Sequence, residues 1–147
     1  MKKIFFEEKY KDKNDNLQTR LVVRVFNAND PINLSDNLVL CDDNKQAMPN
    51  EYFRNAWRLD KKTKKITINK EKAIDIHVDN LRVERDKKLK ELDVETTKAT
   101  QKQDKDALAK LDKQAQKLRD MPELARKELL SMEDDFEAIK NYKPDYL

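Results

Sequence analysis

The sequence predicts an α+β protein: a small N-terminal β-sheet part, then a long antiparallel helical hairpin, then short C-terminal helices. Three observations predict it. Four of the five Phe, the only Trp and most Val and Ile precede residue 70, whereas residues 70–147 are dominated by Lys, Glu, Asp, Leu and Ala. Before residue 70 short apolar runs alternate with Asn- and Asp-rich turns; after it, apolar residues recur every three or four positions, the spacing of one helix face. Charged residues make up 41% and hydrophobic ones 37%, too thin an apolar content for a uniformly globular core, so part of the chain must be exposed helix. The expected divisions are 1–68 as a β-rich domain, 69–121 as the hairpin and 122–147 as short C-terminal helices and a tail.

Residues 3–10 and 18–26 are apolar runs on either side of Lys11-Asp12-Lys13-Asn14-Asp15-Asn16, the pattern of a β-hairpin. In the second run Leu21, Val23 and Val25 face opposite to Val22 and Phe26, a pattern that suits burial on both faces, and Pro31 lies just beyond its end. Glycine is absent, so turns must use Asn and Asp, which tolerate left-handed backbone next best; Asn27-Ala28-Asn29-Asp30, Asp36-Asn37 and Asp42-Asp43-Asn44 supply them. Leu38-Val39-Leu40 reads as a short strand. Trp57-Arg58-Leu59 and Lys65-Ile66-Thr67-Ile68 pair across Asp60–Lys64, which makes a small sheet of four or five strands. In this part Phe53 and Trp57 are the expected anchors, packing the sheet against the start of the long helix.

Asn69 is positioned to cap a helix, its side-chain oxygen accepting an amide of the first turn. From there Ile74, Val78, Leu81, Arg85, Leu89, Leu92, Thr96 and Ala99 lie on one face. The pattern breaks at Thr100–Asp104, where Asp104 caps a second helix carrying Leu108, Leu111, Ala115 and Leu118. So short a connection requires antiparallel helices, with Leu81, Leu92, Leu108, Leu111 and Leu118 in the seam. Pro122 is expected to stop the second helix and start a third. Ser131 with Asp134 resembles a capping box opening a last helix with Phe136 and Ile139.

Little here carries chemistry. A zinc site needs three or four Cys or His ligands, and the chain has one of each, Cys41 and His77. Phosphate-cradling loops depend on glycine for close backbone approach. Nothing pairs Cys41 with a base; it reads as a small buried apolar residue. No catalytic residue, metal ligand or cofactor is expected, and the protein is read as non-enzymatic. The carboxylates mostly sit beside lysines at helical spacing, as Glu84 with Lys88 and Asp86 with Lys90, ordinary solvated pairs. His77, Arg82 and Arg85 read as docking residues ahead of the alternative, an anion site.

Net charge is +3, with 32 bases against 29 acids, so no global field draws the chain to nucleic acid or an acidic membrane. Residues 1–69 carry 14 bases and 10 acids, and residues 70–147 carry 18 and 19. Neither half is a polyelectrolyte. The weak nucleic-acid candidate is the run Lys61, Lys62, Lys64 and Lys65, with Lys70 and Lys72 nearby, unaccompanied by an aromatic nucleic-acid motif. A lone Cys gives no sign of an oxidising compartment. No apolar run approaches the ~18 residues that span a bilayer, and the start, Met1-Lys2-Lys3 before only Ile4-Phe5-Phe6, is not that of a signal peptide.

The segment Tyr52-Phe53-Arg54-Asn55-Ala56-Trp57 is followed by Lys72-Ala73-Ile74-Asp75-Ile76-His77 and Leu81-Arg82-Val83-Glu84-Arg85. Then come Leu92-Asp93, Leu118-Arg119-Asp120-Met121-Pro122, and an ending of Ile139-Lys140 with Pro144-Asp145-Tyr146-Leu147. In order and spacing these resemble a group of small proteins encoded among the virion structural and tail-fibre genes of tailed bacteriophages. The resemblance covers roughly residues 50–147; the hairpin loop lacks the group's glycine and residues 1–49 have no counterpart. It implies a virion structural protein, made in the host cytoplasm, present as a homo-oligomer or in several copies and contacting other phage structural proteins. The alternatives are an assembly chaperone for tail or fibre that leaves the finished particle, and a nucleic-acid-binding accessory. Candidate packing or interface residues are Phe53, Arg54, Trp57, His77, Leu81, Arg82, Arg85, Leu92, Leu111, Leu118, Phe136 and Tyr146.

Overall fold

The computed structural model describes residues 2–26, 39–41, 49–60, 62–63 and 65–147, with the side chains of all of these except 2–6, 23–26 and 39–41. The expected turns at 27–30, 36–37 and 42–44, Pro31, and Lys61 and Lys64 lie outside the described residues, as does the Cys41 side chain. The chain divides into two compact units, Met1–Ala73 and Ile74–Leu147, and the architecture is α+β.

In the first unit β1 (Lys2–Lys11) and β2 (Leu17–Phe26) form the expected antiparallel hairpin, in register from Lys2 opposite Phe26 to Lys11 opposite Leu17. Its turn is built by Asp12, whose Oδ1 accepts the amides of Asn14 and Asn16 at 2.9 and 3.0 Å. Asp15 takes a positive φ of 64°, as a glycine-free turn demands. The amide of Asn16, foremost among its partners, holds the Asp12 carboxyl below its ordinary range. Strand β3 (Val39–Cys41) pairs with β1 at Lys3–Phe5.

A 3₁₀ helix at Glu51–Ala56, capped by the Asn50 side chain, leads into β4 (Trp57–Asp60), which pairs with β5 (Lys65–Ile68). Among the described residues the strands are therefore not one sheet of four or five but two, ordered β2-β1-β3 and β4-β5. Side chains join them. Trp57, Leu59 and Ile66 form a buried cluster, and Leu21 of β2 and Ile68 pack against it. The cluster thus joins sheet to sheet, and Trp57 Nε1 donates to Asn50 O at 3.2 Å.

Glu7 of β1 accepts the Leu59 amide of β4 at 3.1 Å, occupying a strand donor that would otherwise be stranded beside the cluster. Glu7→Ala is expected to cost about 1–2 kcal/mol in urea denaturation. Glu7→Gln, which keeps an acceptor oxygen, should cost less than half as much; equal losses would show that charge, not acceptance, is what matters.

Helix α1 (Lys70–Gln101) begins as expected at Asn69, whose Oδ1 accepts Lys72 N at 3.0 Å. It ends with Asp104 N bonded to Ala99 O and Gln103 N to Thr100 O, a Schellman closure with Gln103 at φ 56° where glycine is usual. The Asp104 side chain then caps α2 (Lys105–Ser131) through Ala107 N.

Here the structure departs from expectation. Helix α2 runs through Pro122 to Ser131, so residues 122–131 belong to the hairpin and not to a separate C-terminal part. An interior proline costs about 3 kcal/mol, but Met121, Pro122, Ala125 and Leu129 are all buried in the second unit, and apolar burial offsets a loss of that size. The last helix, α3 (Phe136–Asn141), is capped by Asp135, which accepts Ala138 N, and not by a Ser131–Asp134 box. Ser131 instead closes α2, its Oγ donating to Glu128 O at 2.6 Å.

Candidate interaction surface

The second unit brings together most of the candidate residues. Leu81 of α1 and Leu118, Met121 and Ala125 of α2 form one buried cluster with Leu147, which is 7% exposed; Leu89, Leu92, Tyr142 and Tyr146 pack against it. Farther along, Glu95, Lys98 and Ala99 of α1 line a groove with Ala107, Lys110, Leu111 and Gln114 of α2, so the pairing runs in opposite directions, as in an antiparallel hairpin. Near this turn the seam thins. Leu92, Leu108 and Leu111 are only half-buried, and Ala99 is the one buried side chain among residues 93–117.

The segment Tyr142–Leu147 closes the wide end of the hairpin, where both helices hold it. His77, 5% exposed, lies with Nε2 2.7 Å from Tyr142 O; a carbonyl only accepts, so Nε2 carries the proton. Lys143 pairs with Glu84 at 2.8 Å, and that hydrogen bond holds the Glu84 carboxyl below its usual range. Lys88 Nζ donates to Tyr146 O at 3.2 Å, and Lys117 Nζ sits 4.4 Å from the centre of the Tyr146 ring, a cation–π contact. The Tyr142 hydroxyl donates to the Glu128 carboxylate.

Burial first, and then the acceptor Glu128, push the Tyr142 phenol far above its usual value. A raised folded-state pKa means the contribution is complete below about pH 10, the unfolded phenol value, and is lost as pH rises beyond it. The thermal midpoint should therefore fall on the alkaline side of about pH 10, and fall less steeply in Tyr142→Phe. Parallel pH profiles for the two proteins would refute this coupling.

Two open depressions meet at Tyr146. One, a cleft of about 430 Å³, is lined by Lys88, Glu91, Leu92, Gln114, Lys117, Leu118 and Tyr146. The other is a shallow depression of about 780 Å³ around Leu124, Tyr142, Pro144 and Tyr146, with Lys117, Lys127 and Lys143 on its rim. Leu124 is 52% exposed there.

Other candidates are placed differently. Phe53 and Trp57, 0% and 5% exposed, are core residues of the first unit, in keeping with the packing role expected of them, while Arg54 is exposed. Phe136 is half-buried. His77, Arg82 and Arg85 do not converge on an anion: His77 is buried, Arg82 pairs with Asp79 at 2.6 Å and Arg85 with Asp86 at 2.9 Å. Glu84 and Asp86 thus take Lys143 and Arg85 where Lys88 and Lys90 were expected. Lys62 and Lys65 are exposed. At their turn the Asp60 carboxylate accepts the amides of Lys62 and Thr63, and the Lys62 amide foremost lowers its pKa.

The residues that sequence reasoning missed are Lys88, Lys117, Glu128 and Tyr142. For Lys88, Lys117 and Glu128 the only local signal was helical spacing, which Lys and Glu share with any solvated face, and Tyr142 lies just beyond the last helix. Among the described residues no group of three or more His, Cys, Asp or Glu side chains could hold a metal ion, and no helix is long and apolar enough to cross a membrane. The chain matches no protein-family model, no curated protein and no solved structure.

Proposed function

We propose that this chain is a bacteriophage virion structural protein of the tail or fibre-attachment region, present in several copies and working by contact with other structural proteins. One observation carries the reading from physical grounds: the hairpin extends well past its packed end. Between residues 93 and 117 it buries only Ala99, far too little apolar area to stabilise two helical segments of this length unaided, since helices in water rely on tertiary packing. A partner surface supplies what the seam lacks. The resemblance of the ordered motifs over residues 50–147 supports a phage structural protein as that partner.

With charge nearly balanced, association through apolar anchors and rim ion pairs weakens only modestly with salt. Binding to DNA through several lysines would lose orders of magnitude between about 50 and 200 mM salt. The test is mass spectrometry of purified particles, with copy number, beside a salt series of filter binding with phage DNA. The expected result is several copies per virion and no retained DNA. Absence from virions would transfer the reading to an assembly chaperone, and tight, salt-sensitive DNA binding would transfer it to a nucleic-acid accessory.

A further inference from the structure

Among the described arginines that are not fully exposed or are ion-paired, Arg58 stands apart; Arg54 and Arg119 are simply exposed. Arg20 pairs with Glu8, Arg82 with Asp79, Arg85 with Asp86 and Arg126 with Asp75. Arg58 of β4, although half-buried, bonds only to a backbone oxygen, that of Trp57 at 2.8 Å. A guanidinium has five N–H donors, so one carbonyl leaves most of them unused. Lys72, in the first turn of α1 and also half-buried, is in the same position: its Nζ donates to Thr19 O at 3.3 Å. Among the described residues neither has a carboxylate partner.

The backbone brings the two together. Asn69 N donates to Ala56 O at 2.8 Å, continuing the β4–β5 ladder by one rung, so α1 starts beside Ala56–Arg58. The proximity has an electrostatic cost: desolvation first, and then the positive charge of Arg58, lower the pKa of Lys72. Two like charges, partly withdrawn from water and bonded only to neutral oxygens, are unfavourable as they stand. An anion bridging them would reverse the sign of that interaction.

We propose that Arg58 and Lys72 form an oxyanion-binding pair that receives a carboxylate from an acidic segment of a partner protein. The proposal rests on the protein-contact reading above and adds to it the chemistry of one contact. A carboxylate fits better than a nucleic-acid backbone because the surroundings are not uniformly basic. Asp60 shares the outward face of β4 with Arg58, two residues on, and Glu51 and Glu71 are exposed on the neighbouring elements. These charges repel an extended polyphosphate but leave room for a single carboxylate. The fork of Arg58 supplies bidentate geometry and Lys72 a point charge.

The test uses the full-length protein, a rhodamine-labelled, C-terminally amidated twelve-residue peptide carrying a single glutamate among neutral residues, and a labelled single-stranded DNA of equal length, in anisotropy titrations at 50 mM salt. The expected result is saturable binding of the peptide. Arg58→Gln and Lys72→Gln should each weaken it about five- to tenfold, as loss of a charge-assisted bond implies, while Lys72→Arg retains it within about threefold. Lys62→Gln and Lys65→Gln serve as controls and should change it less than about twofold. Circular dichroism of each variant separates loss of fold from loss of site; if Lys72→Gln unfolds, Arg58→Gln and Lys72→Arg decide the matter. Absence of peptide binding, equal binding by the Gln variants, or tighter binding of DNA dependent on Lys62 and Lys65 would overturn the proposal. A chain present in virions but indifferent to the peptide defeats only this site; peptide binding without virion incorporation defeats only the structural-component reading.

Discussion

Trp57→Ala is expected to destabilise the first unit by about 3–5 kcal/mol, the range for removing a large buried aromatic. The side chain is the largest member of the cluster with Leu59 and Ile66, and the residues packed on that cluster come from both sheets. Its removal leaves a cavity in that cluster and takes from the Asn50 carbonyl one of its two donors, leaving the Phe53 amide. A loss of this size is a large fraction of a domain's whole stability. Chemical denaturation followed by amide exchange in β4 and β5 measures it. Trp57→Phe should recover more than half of the loss, and an unchanged midpoint in Trp57→Ala would refute the anchor role.

Leu92→Pro is expected to cost ~3 kcal/mol or more, because a proline at this position removes a ladder hydrogen bond and clashes with the preceding turn. The native chain already holds a proline in α2, so the contrast is informative. Pro122 lies on a buried face with Met121, Ala125 and Leu129, where apolar contacts stand against the lost bond. Leu92 is only half-buried, toward the thin end of the seam, where less apolar burial stands against the same defect. Ellipticity at 222 nm and the denaturation midpoint should both fall; a helix as stable as the parent's would mean that the hairpin's outer part contributes nothing to folding.

Much of the fold was legible because its causes are local. The β1–β2 hairpin followed from two apolar runs around an Asx-rich turn, and the starts of α1 and α2 from Asn69 and Asp104, caps that reach amides three residues on. The candidate surface was legible only in part. Tyr146 and Leu118 could be picked out as apolar residues on a helical or terminal pattern, but the lysines around Tyr146 could not, since a lysine that binds a carbonyl or ring looks the same in sequence as one in solvent. Pro122 misled for a related reason: its local penalty is visible, its burial is not. Ser131 and Asp134 offered cap chemistry, but Asp135, one residue on, held the geometry.

By itself the sequence determined the class of fold, the antiparallel pairing of strands and helices, and where the long helices begin, because periodicity and capping act over a few residues. Tertiary structure alone decided that the strands split into two sheets, that a proline could remain inside α2, and that Glu7 meets Leu59, Glu84 meets Lys143 and Lys72 meets Thr19. Each of those contacts joins residues more than fifty positions apart. Side-chain type constrains such a partner only to its charge or polarity; which of many equivalent groups is met depends on how the elements pack, and that is a property of the whole folded unit.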